Sequence, residues 1–104
     1  MQHVTIGKGT IIGNNVFIGP NTSILNDKYP PTHNPKEIVD IKDNVIIGGG
    51  VTILPGVIID IDAVIGAGSV VTENISAGLM VAGNPAKIIG TKEEYIMKKR
   101  CNKL

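Results

Sequence analysis

A chain of 104 residues with a formal net charge of +1 makes one domain, and a small one for building a core unaided. Its lone cysteine, Cys101, excludes an intrachain disulfide and has no histidine near it in sequence, so it reads as a bystander thiol. The chain shows no signal peptide and no apolar run of about 18 residues, so the expectation is a cytoplasmic protein without membrane insertion.

The first predicted element is a six-residue beat. It starts at Ile6, recurs at Ile12, Ile18 and Ile24, and resumes at Ile41, Ile47, Ile53, Ile59, Ile65 and Val71. Every one of these first slots holds Ile or Val. The second slot is often glycine (Gly7, Gly13, Gly19, Gly48, Gly66, Gly78). The fifth slot is small or β-branched, as at Thr10, Val16, Thr22, Val51, Ser69 and Val81. A hexapeptide period predicts a parallel β-helix: each hexad supplies one short strand and one corner, and three hexads close a triangular coil. The first-slot residue points inward and stacks on its equivalents about 4.8 Å away, where β-branched side chains pack well. Glycine and asparagine are expected where the chain turns, and Asn14-Asn15 and Asp43-Asn44 fit corners. A helical reading fails, because an apolar residue every sixth position draws no 3.6-residue stripe. Counting hexads on either side of the interruption gives a little over three coils. With two Tyr, one Phe and no Trp, the core is aliphatic, and oligomerisation is an expected source of further burial.

Ile24 and Ile41 lie seventeen positions apart, which is not a multiple of six, and the insertion at 25–40 holds three of the six prolines. Loops thrown out of a regular scaffold are where catalytic groups concentrate. His33 in this loop could serve as a general base or be a solvated histidine. Asp27 could orient that imidazole, hold a substrate amine or cap a turn, and Asn26 could bond a substrate or its own backbone. Tyr29 lies among them. His3 reads as incidental.

Next come Gly48-Gly49-Gly50 and Gly66-Ala67-Gly68. Neither has the Lys-Ser/Thr or GxGxxG context of a phosphate loop. Gly49 and Ala67 lie 18 residues apart, hence one above the other on adjacent coils. Small side chains stacked there either expose backbone amides along a groove for a long thin ligand or are simply corner residues. The beat ends near residue 90. Thr91 with Glu94 forms a capping box for a helix over Thr91–Arg100, expected to cover the C-terminal end of the solenoid with Tyr95, Ile96 and Met97. The N-terminal end, where Val4 and Ile6 begin the beat at once, has no such cover. The division is thus 1–90 for the solenoid with its loop and 91–104 for the helix and tail. That tail carries five basic and two acidic residues, which reads as a solvated face rather than a nucleic-acid contact.

Three runs carry a resemblance: Asn44 to Val57 (Asn-Val-Ile-Ile-Gly-Gly-Gly-Val-Thr-Ile-Leu-Pro-Gly-Val), Val64 to Thr72, and Val81 to Gly90 with its Ala-Gly-Asn-Pro-Ala-Lys segment. Over roughly residues 4–90 the chain resembles the hexapeptide-repeat acyltransferases. The resemblance implies an all-β fold, a left-handed parallel β-helix, assembled as a homotrimer with acetyl-CoA lying between subunits. It implies that Gly49 and Ala67 meet the pantetheine arm through their backbones. Thr72, Pro85 and Lys87 would complete the cofactor-binding set, with Lys87 toward phosphate charge.

The segment Phe17 to Pro30 is similar to nucleotide-amino-sugar N-acetyltransferases, and implies transfer of acetyl to the amine of such a sugar. Asn26, Asp27 and Tyr29 would then contact the acceptor, and His33 with Asp27 would be catalytic. Maltose and galactoside O-acetyltransferases carry a Thr-His-Pro loop whose His is the base; here the residues are Thr32-His33-Asn34. A sugar O-acetyltransferase and a truncated, non-catalytic β-helix module are the alternatives. A zinc lyase on the same scaffold needs three histidines per metal, and the chain has only His3 and His33, so no metal is expected.

Overall fold

A computed structural model describes residues 5–7, 9–25 and 38–101. The hexads become two-residue strands arranged in rungs. The first rung is β1 (Thr5–Ile6), β2 (Ile11–Ile12) and β3 (Phe17–Ile18). The second is β4 (Ser23–Ile24), β5 (Asp40–Ile41) and β6 (Ile46–Ile47), and the third β7 (Thr52–Ile53), β8 (Ile58–Ile59) and β9 (Val64–Ile65). A fourth contains β10 (Val70–Val71) and β11 (Leu79–Ala82), with a single bridge from Ile75 to Ile59 between them. The chain then turns back as β12 (Lys87–Thr91), antiparallel to β11, and ends in α1 (Lys92–Cys101).

Through β7 each strand pairs in parallel with the third strand onward, and β9 pairs with β11, so three flat faces form. The first face is β1-β4-β7-β10, the second β2-β5-β8, and the third β3-β6-β9-β11-β12. The register sets first slot on first slot: Ile47 pairs with Ile65 and Ile18, and Ile53 with Val71 and Ile24. The predicted inward wall follows from this. Ile24, Ile41, Ile47, Ile53, Ile59, Ile65 and Val71 are almost wholly buried, as are the fifth-slot residues Val39, Val45, Val51 and Ala63. On the first rung Ile6 and Ile12 keep 43% and 38% of their surface exposed, whereas Ile18 is buried.

Four differences from the sequence reading have physical causes. Among the described residues the rungs number four rather than a little over three, because the chain leaves the first face after β4 and returns on the second at β5, so the insertion takes up one corner of the count. The second-slot glycines Gly19 and Gly48 are required by close approach rather than by turn geometry. A Cβ on Gly19 would stand 2.5 Å from the amide nitrogen of Gly49, and one on Gly48 2.7 Å from that of Ala67. Left-handed backbone falls instead on the fourth slot, at Gly50 and Gly68 (φ +68° and +75°) and equally at Asn15, Asn21, Asn44 and Asp62. Asparagine and aspartate are the residues other than glycine that adopt this conformation at least cost, since their short polar side chains can bond nearby backbone.

The fourth difference concerns the cover of the C-terminal end. Glu94 N donates to Thr91 Oγ1 at 3.3 Å, so the cap at Thr91 forms as predicted. Ile96 and Met97, however, are exposed, Met97 by 66%. The last rung is covered instead by the crossing Gly83–Ala86, which takes the place of a further strand on the first face: Val70 N donates to Gly83 O at 3.0 Å and Ala86 N to Val70 O at 2.8 Å. Lys92 holds the helix start to the corner between the second and third faces, donating to Asp62 Oδ1 at 2.9 Å and to Asn44 O at 3.2 Å.

Candidate functional site

The three corners of the solenoid repeat the same backbone turn with different chemistry. The corner between the third and first faces stacks Gly19-Pro20, Gly48-Gly49-Gly50, Gly66-Ala67-Gly68 and the crossing that begins at Gly83. Its rungs are tied by Gly50 N donating to Pro20 O (2.8 Å) and Gly68 N donating to Gly49 O (2.9 Å). The third-slot amides of Gly49 and Ala67 have no acceptor among the described residues. Gly49 is half-buried and Ala67 exposed. The predicted stacking of these two residues therefore holds, and two amides stand one rung apart, about 4.8 Å, on a strip stripped of side chains.

Buried hydroxyls support this corner from inside. Thr22 Oγ1 donates to Gly48 O (3.0 Å) and accepts from Val51 N (3.3 Å). Ser69 Oγ donates to Gly66 O (2.6 Å) and accepts from Gly83 N (3.1 Å). Both residues are 0% exposed. In sequence they look like ordinary fifth-slot residues. The available signal was a hydroxyl in a slot that otherwise carries Val, Ala or Ile.

Beside this corner the first face carries only small outward side chains, Ser23, Thr52 and Val70, all half-buried. At its far edge, the corner between the first and second faces, the insertion is rooted. Leu25 N donates to Ile53 O (3.0 Å) where the chain leaves, and Asp40 N to Val57 O (3.1 Å) where it returns. Asn26, Asp27, Tyr29 and His33 lie outside the described residues, as does His3. Thr72 and Lys87 line one recess of about 270 Å³ at the fourth rung, with Glu73, Asn74, Ile75 and Ala86. Pro85 belongs to the crossing above Gly66–Ser69, and the Asn84–Pro85 peptide is cis. Gly49, Ala67 and Pro85 thus share one corner column, whereas Thr72 and Lys87 meet at the end of the solenoid. Among the described residues no group of three or more His, Cys, Asp or Glu is placed to hold a metal ion.

No protein-family model matches the chain. YvoF of Bacillus subtilis (strain 168), an acetyltransferase by provisional assignment, is 45% identical over 92 residues, covering 88% of this chain and 52% of YvoF. The 2,3,4,5-tetrahydropyridine-2,6-dicarboxylate N-acetyltransferase of Staphylococcus aureus (strain JH9) is 39% identical over 79% of this chain and 33% of its own length. Among solved structures, a galactoside acetyltransferase in complex with coenzyme A superposes with a TM-score of 0.77 at 34% identity, over 90% of this chain and 52% of that one. A maltose O-acetyltransferase from Clostridium difficile 630 gives 0.66 at 28% identity, over 88% of this chain and 68% of that one.

The relatives and structural neighbours are therefore acetyltransferases, hexapeptide-repeat enzymes among them, and the neighbours include complexes with CoA or acetyl-CoA. This chain is similar to them in sequence and in its parallel-sheet fold. It spans about half the length of the first relatives it matches.

Proposed function

We propose that this chain is an acetyl-CoA-dependent acetyltransferase acting on a sugar. One observation carries the reading: two stacked amides without acceptors among the described residues, on a strip that glycine and alanine keep bare. A pantetheine arm is long, thin and rich in amide carbonyls, so it matches a row of free N–H donors along the solenoid axis. Pro85 borders the same column, and Lys87 with Thr72 would take the nucleotide end, where an ammonium meets phosphate. The solenoid is left-handed in this reading, the molecule is a cytoplasmic homotrimer, and CoA lies between neighbouring copies. Residues 1–90 form the solenoid with its loop, and 91–104 the helix and tail.

The chemistry is direct attack. A nucleophilic oxygen or nitrogen of the sugar adds to the thioester carbonyl, backbone amides in the groove stabilise the oxyanion, and the C–S bond then breaks. His33 takes the proton of the attacking group, and the departing CoA thiolate is protonated to the thiol. Asp27 orients that imidazole, and Asn26, Asp27 and Tyr29 contact the acceptor. The amine of a nucleotide-linked amino sugar is the acceptor that the segment Phe17 to Pro30 suggests. A sugar hydroxyl is the second reading, favoured by the galactoside enzyme, which superposes better (TM-score 0.77) than a perosamine N-acetyltransferase does (0.60).

Calorimetric titration with acetyl-CoA tests the donor half, with saturable binding near one site per chain expected. Thiol release from acetyl-CoA, measured with galactosides and with nucleotide amino sugars in parallel, separates the two acceptors. Absence of binding at millimolar acetyl-CoA would overturn the enzyme reading and leave a non-catalytic module.

A further inference from the structure

We infer that Ser69 is a positioning residue for the acyl donor: its buried hydroxyl locks the bare glycine corner to the Gly83–Ala86 crossing, so that both parts of the donor groove hold one geometry. The inference rests on the donor reading of that groove. Its physical basis is independent of it.

Three side-chain hydroxyls occupy the fifth slot, at Thr10, Thr22 and Ser69, and a local role is common to two of them. Thr10 Oγ1 donates to Gly7 O three residues back (2.7 Å), as Ser69 Oγ does to Gly66 O (2.6 Å). That bond tightens a single turn. Ser69 differs in its second partner, since it also accepts from Gly83 N fourteen residues away, at 3.1 Å. One oxygen thus uses its proton on the turn that presents Ala67 and a lone pair on the segment that carries Pro85 toward Lys87. The crossing has two further ties, both to Val70, the next residue along. With Ser69 absent, Gly83 N would sit beside a 0% exposed position without an acceptor, and the crossing would shift to find one. A ligand that spans both segments loses affinity when their spacing is no longer fixed, because binding must then select one arrangement among several.

Neighbouring rungs supply the controls. At this same corner the fifth slot holds Thr22 on one rung and Val51 on another, both fully buried, so a β-branched side chain fits. Ser69→Thr and Ser69→Val are therefore close to equal in shape and differ in the hydroxyl. The test is calorimetric CoA affinity of both variants, with Thr10→Val as a variant that loses only the bond within its turn. Ser69→Thr is expected within about threefold of the parent chain, Ser69→Val weakened at least about tenfold, and Thr10→Val unchanged in CoA affinity. Thermal unfolding reads out whether Ser69→Val remains folded. If it is destabilised, Ser69→Cys, with a poorer acceptor, should fall between the other two in affinity. Equal CoA affinity for Ser69→Thr and folded Ser69→Val would overturn the inference while leaving the donor reading intact. A parent chain that binds no CoA would instead remove the donor reading and the inference together.

Discussion

Two corners of this solenoid share a backbone and have opposite chemistry. At the corner between the second and third faces two of the three third-slot amides are consumed by the protein itself, Asn14 N donating to Asp43 Oδ1 and Ile61 N to Asp60 Oδ1, each at 2.7 Å, while Asp43 N has no acceptor among the described residues. Asp62, Lys42 and Lys92 crowd the same edge. At the corner between the third and first faces the equivalent amides, on Gly49 and Ala67, find no acceptor among the described residues, and no charged side chain stands on the turns from Gly48 to Gly50 or Gly66 to Gly68. A carboxylate within reach takes up a corner amide, from the next rung at Asp43 and from the preceding residue at Asp60. The turns that carry Gly49 and Ala67 hold no carboxylate.

That contrast can be broken most sharply by transplanting the closing device. Ala67→Asp would place a carboxylate one rung from Gly49 N, as Asp43 stands one rung from Asn14 N. CoA affinity should fall at least about a hundredfold, roughly 2.7 kcal/mol, with little change in thermal stability. Titration of the folded variant checks it, and undiminished binding would mean that these amides do not contact the donor.

Gly48→Ala comes next. A Cβ there meets the backbone of the next rung, so unfolding should be easier by about 1–3 kcal/mol in a denaturant titration. Gly68→Asn, at a fourth slot where asparagine already serves elsewhere, should change stability by less than about 0.5 kcal/mol. Parity between the two would defeat the distinction between close approach and turn geometry.

Asp43→Ala sharpens the comparison from the other side. Freeing the Asn14 amide should cost about 1 kcal/mol of stability and leave CoA affinity unchanged, since the opened donor lies at the wrong corner.

The smallest effect concerns Lys42, whose ammonium bonds Asp40 Oδ2 at 2.8 Å. That hydrogen bond and the charge of Asp40 raise its pKa above the ordinary 10.5. Because the folded value is the higher one, the pair's contribution is fully present below pH 10.5 and is lost as pH rises through the raised value. The lysine is solvent-exposed, so Lys42→Met should leave the melting temperature nearly unchanged at pH 7, and the difference should vanish in strong alkali. A large loss at neutral pH would show that the edge depends on its ion pairs.

The legible part of this fold was whatever repeats. The first-slot Ile and Val residues announced the inward wall, and the eighteen-residue spacing of Gly49 and Ala67 announced their stacking, because a fixed period fixes neighbours. What single residues do at a corner was less legible. Glycine at the second slot and at the fourth looks alike in sequence, yet Gly48 is needed for space and Gly50 for its backbone angle. Ser69 was hidden for a related reason: its partner Gly83 belongs to the crossing where the beat ends, so no period connects them. The apolarity of Tyr95, Ile96 and Met97 points to the helix as the cover of the last rung, whereas backbone bonds from Val70 and Ala86 set the crossing there.

The two-residue strand has a further consequence, that length along this molecule comes in steps. Every rung adds the same rise and returns the chain to the same corner, so the bare strip is a graduated scale on which Gly49 and Ala67 stand at successive marks. Duplicating one eighteen-residue rung would move the crossing one mark further from Gly49 without altering any corner. The longest ligand that fits would then grow by a fixed increment, as on a ruler extended by one division.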